Sequence, residues 1–444
     1  MKKLLLLGNC TLFAALCPFI FSPLRLNTDS MRLFAMALPA AVGGAYGTDQ
    51  FPPFYPHLLC GLIRAGWCNS VVLLSINFTA LFLTLLLLYK IMRLNGYSFV
   101  ETMATITSVQ LCWCIAKHVL LPQTDVLLLP FFFSCLLSVM YAERSENWAR
   151  KAIWLVVATL IASVATVVRT AAIPLFAVIA VVATGVTPKN FLGIIRKRVF
   201  WLSALSLCAA LVLGVVLAIK FTEFDAEGGY FKMFKTFFMR GGVAEFLAVG
   251  WSHLNEIMQL SLNVTSARIP RFVAEAGAVV MPIFLAWAVI KGWQWLDWCL
   301  LLALLGYGLE IFLWPCNDAR FFLPVFPIAA MLMVHFAQGL WQKHKLVRPV
   351  ICLYVAGFML MGFVSWGWLA RQWYLGKDFY MHTTNGFLSS AFKNAYTLEI
   401  KDIPENERTF PVFILKKFDP LHSCDEKEWL PLTDYYLFPS QHSD

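Results

Sequence analysis

The chain has 444 residues, is 59% hydrophobic and only 14% charged, and carries a formal net charge of +9. Its mean hydropathy of +0.69 excludes a soluble globular core, because no water-facing shell conceals so much apolar surface; the bilayer is the solvent for most of it. The excess of Lys and Arg is scattered over short loops, where it sets orientation, so nucleic acid is not an expected partner.

Eleven apolar segments follow in chain order, each near the length that crosses about 30 Å of hydrocarbon as a helix. They lie near residues 4–22, 71–92, 102–121, 125–142, 152–168, 170–187, 199–219, 273–290, 298–315, 321–341 and 349–372. The first follows Lys2-Lys3 in the manner of a signal peptide. The stretch from Pro18 to Pro23 lacks a small-x-small cleavage site, however, so it is read as a retained helix. Basic residues then fall in alternate loops: Lys90 and Arg93; Arg144, Arg150 and Lys151; Lys189, Arg196, Lys197 and Arg198; Lys291; Lys343, Lys345 and Arg348. The short connections between them hold essentially Arg169 and Arg320. This asymmetry puts the N-terminus in the cytoplasm and, with an odd number of crossings, the C-terminus outside. Short loops and the Lys-Lys start suggest a bacterial inner membrane, with the C-terminus periplasmic.

Two units are expected. Residues 1–372 form an all-α polytopic membrane module, which includes a first extracytoplasmic loop at 23–70 and an outward segment at 220–272. In that segment Gly241–Leu262 mixes apolar residues with Trp251, His253, Asn255 and Glu256, the pattern of an interfacial amphipathic helix. Residues 373–444 turn abruptly polar and form a small extracytoplasmic domain, α/β or irregular, with a strand expected over Thr409–Leu415. Asn263-Val264-Thr265 is a glycosylation sequon on the outward segment, meaningful only in a eukaryotic secretory setting. Of the twelve cysteines, Cys112, Cys114, Cys135, Cys208 and Cys352 fall within spans as small apolar fillers. Cys60, Cys68, Cys316 and Cys424 fall at the outer face, where an oxidising compartment would permit disulfides.

Uncommon polar residues gather at the outer ends of the spans: Asp29, Tyr55 and His57 in the first loop, Lys117 and His118, Gln123-Thr124-Asp125, Arg169, and Asp318 with Arg320. Glu310 lies inside a span, where a carboxylate must pair, protonate or face a cavity. Asp29 and Asp125 also suit helix N-caps, and the arginines could snorkel to the interface. Their convergence on one face suits sugar transfer from a lipid phosphate. A carboxylate, Asp29, takes the acceptor's proton. Fixed cations, Arg320, Arg169 and Lys117 with His118, stabilise the charge on the departing phosphate. No metal-ligand cluster, P-loop or Gly-rich dinucleotide motif is visible. No cofactor is therefore expected, and a divalent metal is not indicated.

The same residues carry a family resemblance. Thr28-Asp29-Ser30, Gly43-Gly44-Ala45-Tyr46 with Pro52-Pro53-Phe54-Tyr55-Pro56-His57-Leu58, Gln123-Thr124-Asp125, Val168-Arg169-Thr170 and Asp318-Ala319-Arg320-Phe321-Phe322-Leu323-Pro324 occur in that order. The chain in this respect resembles the GT-C superfamily of polytopic glycosyltransferases, nearest the protein mannosyltransferase and aminoarabinose-lipid A transferase group (glycosyltransferase family 39-like). The resemblance implies a polyprenyl-phosphate-linked sugar donor, a lipid, glycan or protein acceptor, Asp29 as base and Arg320 near the donor phosphate. It departs from the family at Ser30, where a second acid is common, and in the residues around Arg169. A transporter or flippase for a lipid-linked or small substrate is the competing reading, and a membrane scaffold a more distant one. The feature that separates them is whether Asp29 shares a site with Arg169 and Arg320.

Overall fold

The computed structural model describes residues 2–47, 51–185, 230–264, 297–314, 318–374, 414 and 417–419. Among them all regular structure is helical. In chain order the helices are α1 (Lys2–Leu16), α2 (Thr28–Ala41), α3 (Phe54–Arg64), α4 (Ser70–Leu94), α5 (Phe99–Leu111), α6 (Trp113–Val119) and α7 (Thr124–Glu143). They continue with α8 (Trp148–Val168), α9 (Pro174–Ala183), α10 (Tyr230–Leu262), α11 (Trp298–Leu313), α12 (Phe326–Lys343) and α13 (Arg348–Tyr374). A short 3-10 turn, Ala319–Phe322, precedes α12.

Among the described residues five helical stretches are long and apolar enough to cross a membrane: Lys2–Phe21, Ser70–Leu94, Thr124–Glu143, Trp148–Val168 and Lys345–Arg371. The bent pair α5 and α6 counts as a sixth where it is read as one broken span and not as a re-entrant loop. The expected straight span at 102–121 is thus broken at Cys112 by 56°. The segments expected at 170–187 and 298–315 are the shorter helices Thr170–Ala183 and Trp298–Leu313, and that at 321–341 becomes α-helical only from Phe326. The spans at 199–219 and 273–290 lie outside the described residues.

On α8 the packing is inverted relative to a helix of a water-soluble bundle. α8 turns its small residues Ala158, Ala162 and Ala165 inward and exposes Ile153, Val156, Leu160, Val164 and Val167. Small inward side chains let helices approach closely where lipid removes any hydrophobic drive to associate. The Cys135 thiol of α7 reaches the Ala158 carbonyl at 3.5 Å as a result. α10 also exposes apolar side chains. His253, Glu256, Gln259 and Asn263 are buried, while Val243, Leu247 and Trp251 are exposed. A helix forms where one was expected, and its buried side mixes these polar residues with Leu254, Met258 and Leu260.

The break between α5 and α6 frees backbone groups that lipid cannot satisfy. The Asn263 side chain takes them: Nδ2 donates to the carbonyls of Leu111 (2.9 Å) and Phe358 (2.8 Å). Its Oδ1 accepts from the Trp113 amide at 2.7 Å. Asn263 is fully buried and left-handed, at φ 56°, so the sequon residue is an internal staple closed to glycosylation in the folded chain. Gly362 permits this crossing, since a Cβ there would land on the Leu111 carbonyl oxygen and 2.6 Å from the Leu111 Cβ.

Beyond α13 the polar tail is described at four positions. Asp419 is buried and accepts from the Leu24 amide (2.7 Å) and the Ser70 hydroxyl (2.9 Å). Phe418 stacks on Phe34 of α2 with centroids 5.2 Å apart. This part of the tail therefore braces the helix that carries Asp29. Ile414 is helical where a strand was expected; the rest of that segment lies outside the described residues.

Candidate active site

The 23–70 region between the first two spans contains regular structure. It folds into α2 and α3, and the start of α2 decides where Asp29 points. Asn27, in an extended conformation, is the N-cap: its side chain accepts from the Ser30 amide at 2.8 Å and from the Ser30 hydroxyl at 2.7 Å. Asp29, expected as a possible cap, instead lies in the first turn. There the helix dipole favours a carboxylate and the side chain remains available. It pairs with Nη1 of Arg320.

Arg320 comes from the 3-10 turn after α11. Asp318 caps that turn by accepting from the Arg320 amide at 3.0 Å, and its other oxygen lies 2.9 Å from Arg320 Nε. One guanidinium thus bridges Asp29 and Asp318. Asp318 is fully buried, which pushes its carboxyl up, against the lowering effects of Arg320 and Lys117. Arg169, at the C-terminus of α8, pairs with Asp125 at 2.5 Å. Gln123, not Asp125, is the N-cap residue of α7, so Asp125 too is an acid in a first turn with its side chain free for a cation. Arg169 and Arg320 lie over the same ring, Phe321, at 5.6 and 5.2 Å. The two arginines that sequence placed on different spans share one site.

Lys117 and His118 enter from the last turn of α6, beyond the bend, and both are buried. The carbonyls of Val119 and Leu121 at that helix end are taken by Asn77 Nδ2 of α4, at 3.1 and 2.7 Å, as helix C-termini require. Lys117 lies in the field of Asp318, Arg320 and Asp125. His118 Nδ1 bonds to Gln123 Nε2, and Gln123 Oε1 accepts from Asn27 Nδ2 at 2.9 Å. The Nε2 atom of His118 has no hydrogen-bond partner among the described residues. Glu310 of α11 joins from the side: it is largely buried, one Oε has no hydrogen-bond partner, and Arg169 is the charged group acting on it.

Two expected residues stand elsewhere. Tyr55 is wholly buried in the apolar core, where burial drives its phenol well above the ordinary tyrosine range. His57 is exposed and meets Tyr46 edge-on at 4.2 Å. Among the described residues no hydrogen bond joins either to the charged cluster. Cys60 and Cys68 are free and buried; Cys316 and Cys424 lie outside the described residues.

Sequence reasoning passed over Asn27, read Asn263 only as a sequon, and named Gln123, His253 and Glu256 without their partners. His253 Nδ1 meets Glu256 at 2.8 Å and its Nε2 meets the Trp314 carbonyl at 3.0 Å, just ahead of the Arg320 turn. Only the i,i+3 spacing of His253 and Glu256 could have signalled the pair. A set of metal-capable atoms does exist among the described residues: Glu143, Asp297 and Cys299, within 4.8 Å of one another. It lies at the far end of α7 from Asp125, and Asp297 is already held by Arg144 at 2.9 Å.

Between α4 and α7 runs an apolar groove of about 510 Å³. Ile76, Thr79 and Leu83 line one wall, and Leu127, Pro130 and Phe131 the other. Its near end is two residues from Asp125.

No protein-family model and no curated protein sequence matches the chain. One solved structure aligns with it: the crystal structure of ArnT from Cupriavidus metallidurans bound to undecaprenyl phosphate. That alignment covers 83% of this chain and 78% of the other, at 12% identity and a TM-score of 0.45.

Proposed function

We infer that this chain is an integral-membrane glycosyltransferase that moves a sugar from a polyprenyl-phosphate donor to a lipid, glycan or protein acceptor on the extracytoplasmic face. One observation carries the reading: a carboxylate in the first turn of α2 meets Arg320 in a site that also gathers Lys117, His118 and Arg169. Asp29 is the general base. It accepts the acceptor hydroxyl's proton as that oxygen bonds to the anomeric carbon; the bond from that carbon to the phosphate oxygen breaks, and its electrons leave with the polyprenyl phosphate. Arg320, Lys117 and Arg169 supply positive charge where the phosphate's negative charge grows. In the resting pair Arg320 neutralises Asp29; a bound phosphate competes for the guanidinium and releases the carboxylate. The apolar α4–α7 groove, lined from Leu127 onward on α7, suits an isoprenoid chain. The motif order from Asp29 to Pro324 favours the same family of reactions.

The broken α5–α6 helix is the observation that favours a transporter, since discontinuous helices expose backbone groups to substrate. Here Asn263 already occupies the Leu111 carbonyl and the Trp113 amide, which leaves the transferase reading stronger. The deciding experiment uses protein in nanodiscs with polyprenyl-phosphate sugars. Asp29→Asn keeps the shape and loses the base, so turnover falls by about 10³-fold. Undiminished transfer by that variant, or vectorial movement of donor by wild type without transfer, refutes the reading.

A further inference from the structure

The hydrogen bonds running from the cap of α2 to His118 have a fixed sense. A backbone N–H only donates, so the Ser30 amide fixes Asn27 Oδ1 as the acceptor. Asn27 Nδ2 then faces Gln123 Oε1 as donor. The amide nitrogen of Gln123 is left to meet His118 Nδ1. A primary amide nitrogen has no lone pair to offer, so Nδ1 must be bare, and the imidazole's single proton sits on Nε2. That is the ring nitrogen with no partner among the described residues.

We propose that Asn27 and Gln123 are positioning residues that hold His118 as a neutral imidazole with its proton on Nε2, a hydrogen-bond donor reserved for the phosphodiester of the lipid-linked sugar. The proposal rests on the glycosyltransferase reading for the identity of the phosphate, not for the tautomer. Its chemical value is that His118 donates without being charged. The charged groups bearing on the ring are Lys117 on its own helix, Arg320 of the 3-10 turn and Arg169 at the end of α8. From α4 the neighbouring polar group is the neutral Asn77, bonded to the carbonyls on either side of Leu120. Asp125 of α7 is paired with Arg169. A donor that needs no protonation keeps its role across the neutral pH range. The relay also gives Ser30 a purpose: its hydroxyl donates to Asn27 Oδ1 at 2.7 Å, a second donor that an ionised acid would not supply. The residue that caps the base's helix thereby sets the proton position on the phosphate-facing imidazole.

Asn27→Asp tests this without removing the cap, since Asp is as good an N-cap as Asn. Both its oxygens accept, so Gln123 must turn its amide, present Oε1 to His118, and require the proton on Nδ1. Gln123→Glu imposes the same reversal from the other end and serves if the cap variant misfolds. Histidine-¹⁵N solid-state NMR of the full chain in bilayers, with His118→Gln identifying the resonance, reads the tautomer without any ligand. The expected wild-type state has Nε2 protonated and Nδ1 bare, and Nδ1 becomes protonated in either variant. A wild-type imidazolium or Nδ1–H tautomer, or no change in both variants, overturns the proposal. Binding of a polyprenyl methyl phosphodiester, whose one charge does not titrate near neutrality, supplies the functional arm. Wild-type affinity should be flat from about pH 6 to 7.5, the range in which an imidazole titrates. In Asn27→Asp it should weaken about tenfold over that range, as the imidazolium that can still donate from Nε2 is lost. Equal pH dependence in the two proteins overturns the phosphate assignment. No binding to wild type refutes the glycosyltransferase reading and that assignment together, whatever tautomer the NMR shows.

Discussion

α7 has a charged cluster at each end, about 27 Å apart by helical rise, and the two are built to different ends. At Glu143 an arginine, Arg144, pairs with Asp297 at 2.9 Å while its guanidinium also bonds the Leu94 carbonyl and Asn95. Its side chain is 36% exposed, so water shares the cost of its charge. At Asp125 the side chains of Arg320 and Asp318 are 5% and 1% exposed, and Lys117 is buried beside them. Burying that many charges is expensive even when they pair. The first cluster has the form of an inter-helix staple; the second carries more charge, more deeply, than stapling needs. The proposed transfer, in which the site binds an anion and removes a proton, would account for the difference.

The comparison can be broken most forcefully at Arg320. Arg320→Met should lower donor kcat/KM by about 10²-fold or more, with the acceptor KM nearly unchanged. A loss carried by the acceptor KM instead would detach Arg320 from the phosphate. Next is the staple of the bend. Asn263→Ala removes the bonds to the Trp113 amide and to the Leu111 and Phe358 carbonyls and should destabilise the fold by about 3 kcal/mol, read as a drop in thermal midpoint in nanodiscs. Because α6 carries Lys117 and His118, donor affinity should fall in the same variant even at temperatures where it stays folded.

A smaller effect concerns pH. Burial raises Glu256 to about 7, opposed by its bond to His253, and that bond carries His253 upward despite its own burial. Both groups hold a proton more tightly in the folded chain than in the unfolded one. Their contribution is therefore full at acid pH and declines as pH rises from the ordinary glutamate range through about 7. The thermal midpoint should fall over that window, and Glu256→Gln should flatten the decline; an unchanged slope would mean the pair does not hold the proton. The smallest effect is expected at the other end of α7. Arg144→Ala should cost no more than about 1 kcal/mol and leave transfer intact, and a large loss of activity there would erase the distinction between the two ends.

Much of the fold was legible from composition: the apolar segments that became α1, α4, α7, α8 and α13 follow from length and hydropathy alone. The site was legible in part. Asp29, Asp125, Arg169 and Arg320 are charged residues at span ends, and their cost at membrane depth flags them without a structure. Tyr55 and His57 carried similar chemistry in the sequence and proved to lie apart from the cluster. Helix α3 turns one into the core and the other to the surface, and that register depends on contacts across the chain.

By itself the sequence determined that the protein spans a membrane and that its costly charges sit at helix ends, because hydropathy and charge are local properties. Tertiary structure decided which acid meets which cation and that Asn27, not Asp29, caps α2. It also decided that a buried asparagine holds the bend beneath Lys117 and His118. Hydrogen bonds between residues about 100 or 150 positions apart have direction and length, and a neutral amide gives no sign of them until its partners are in place.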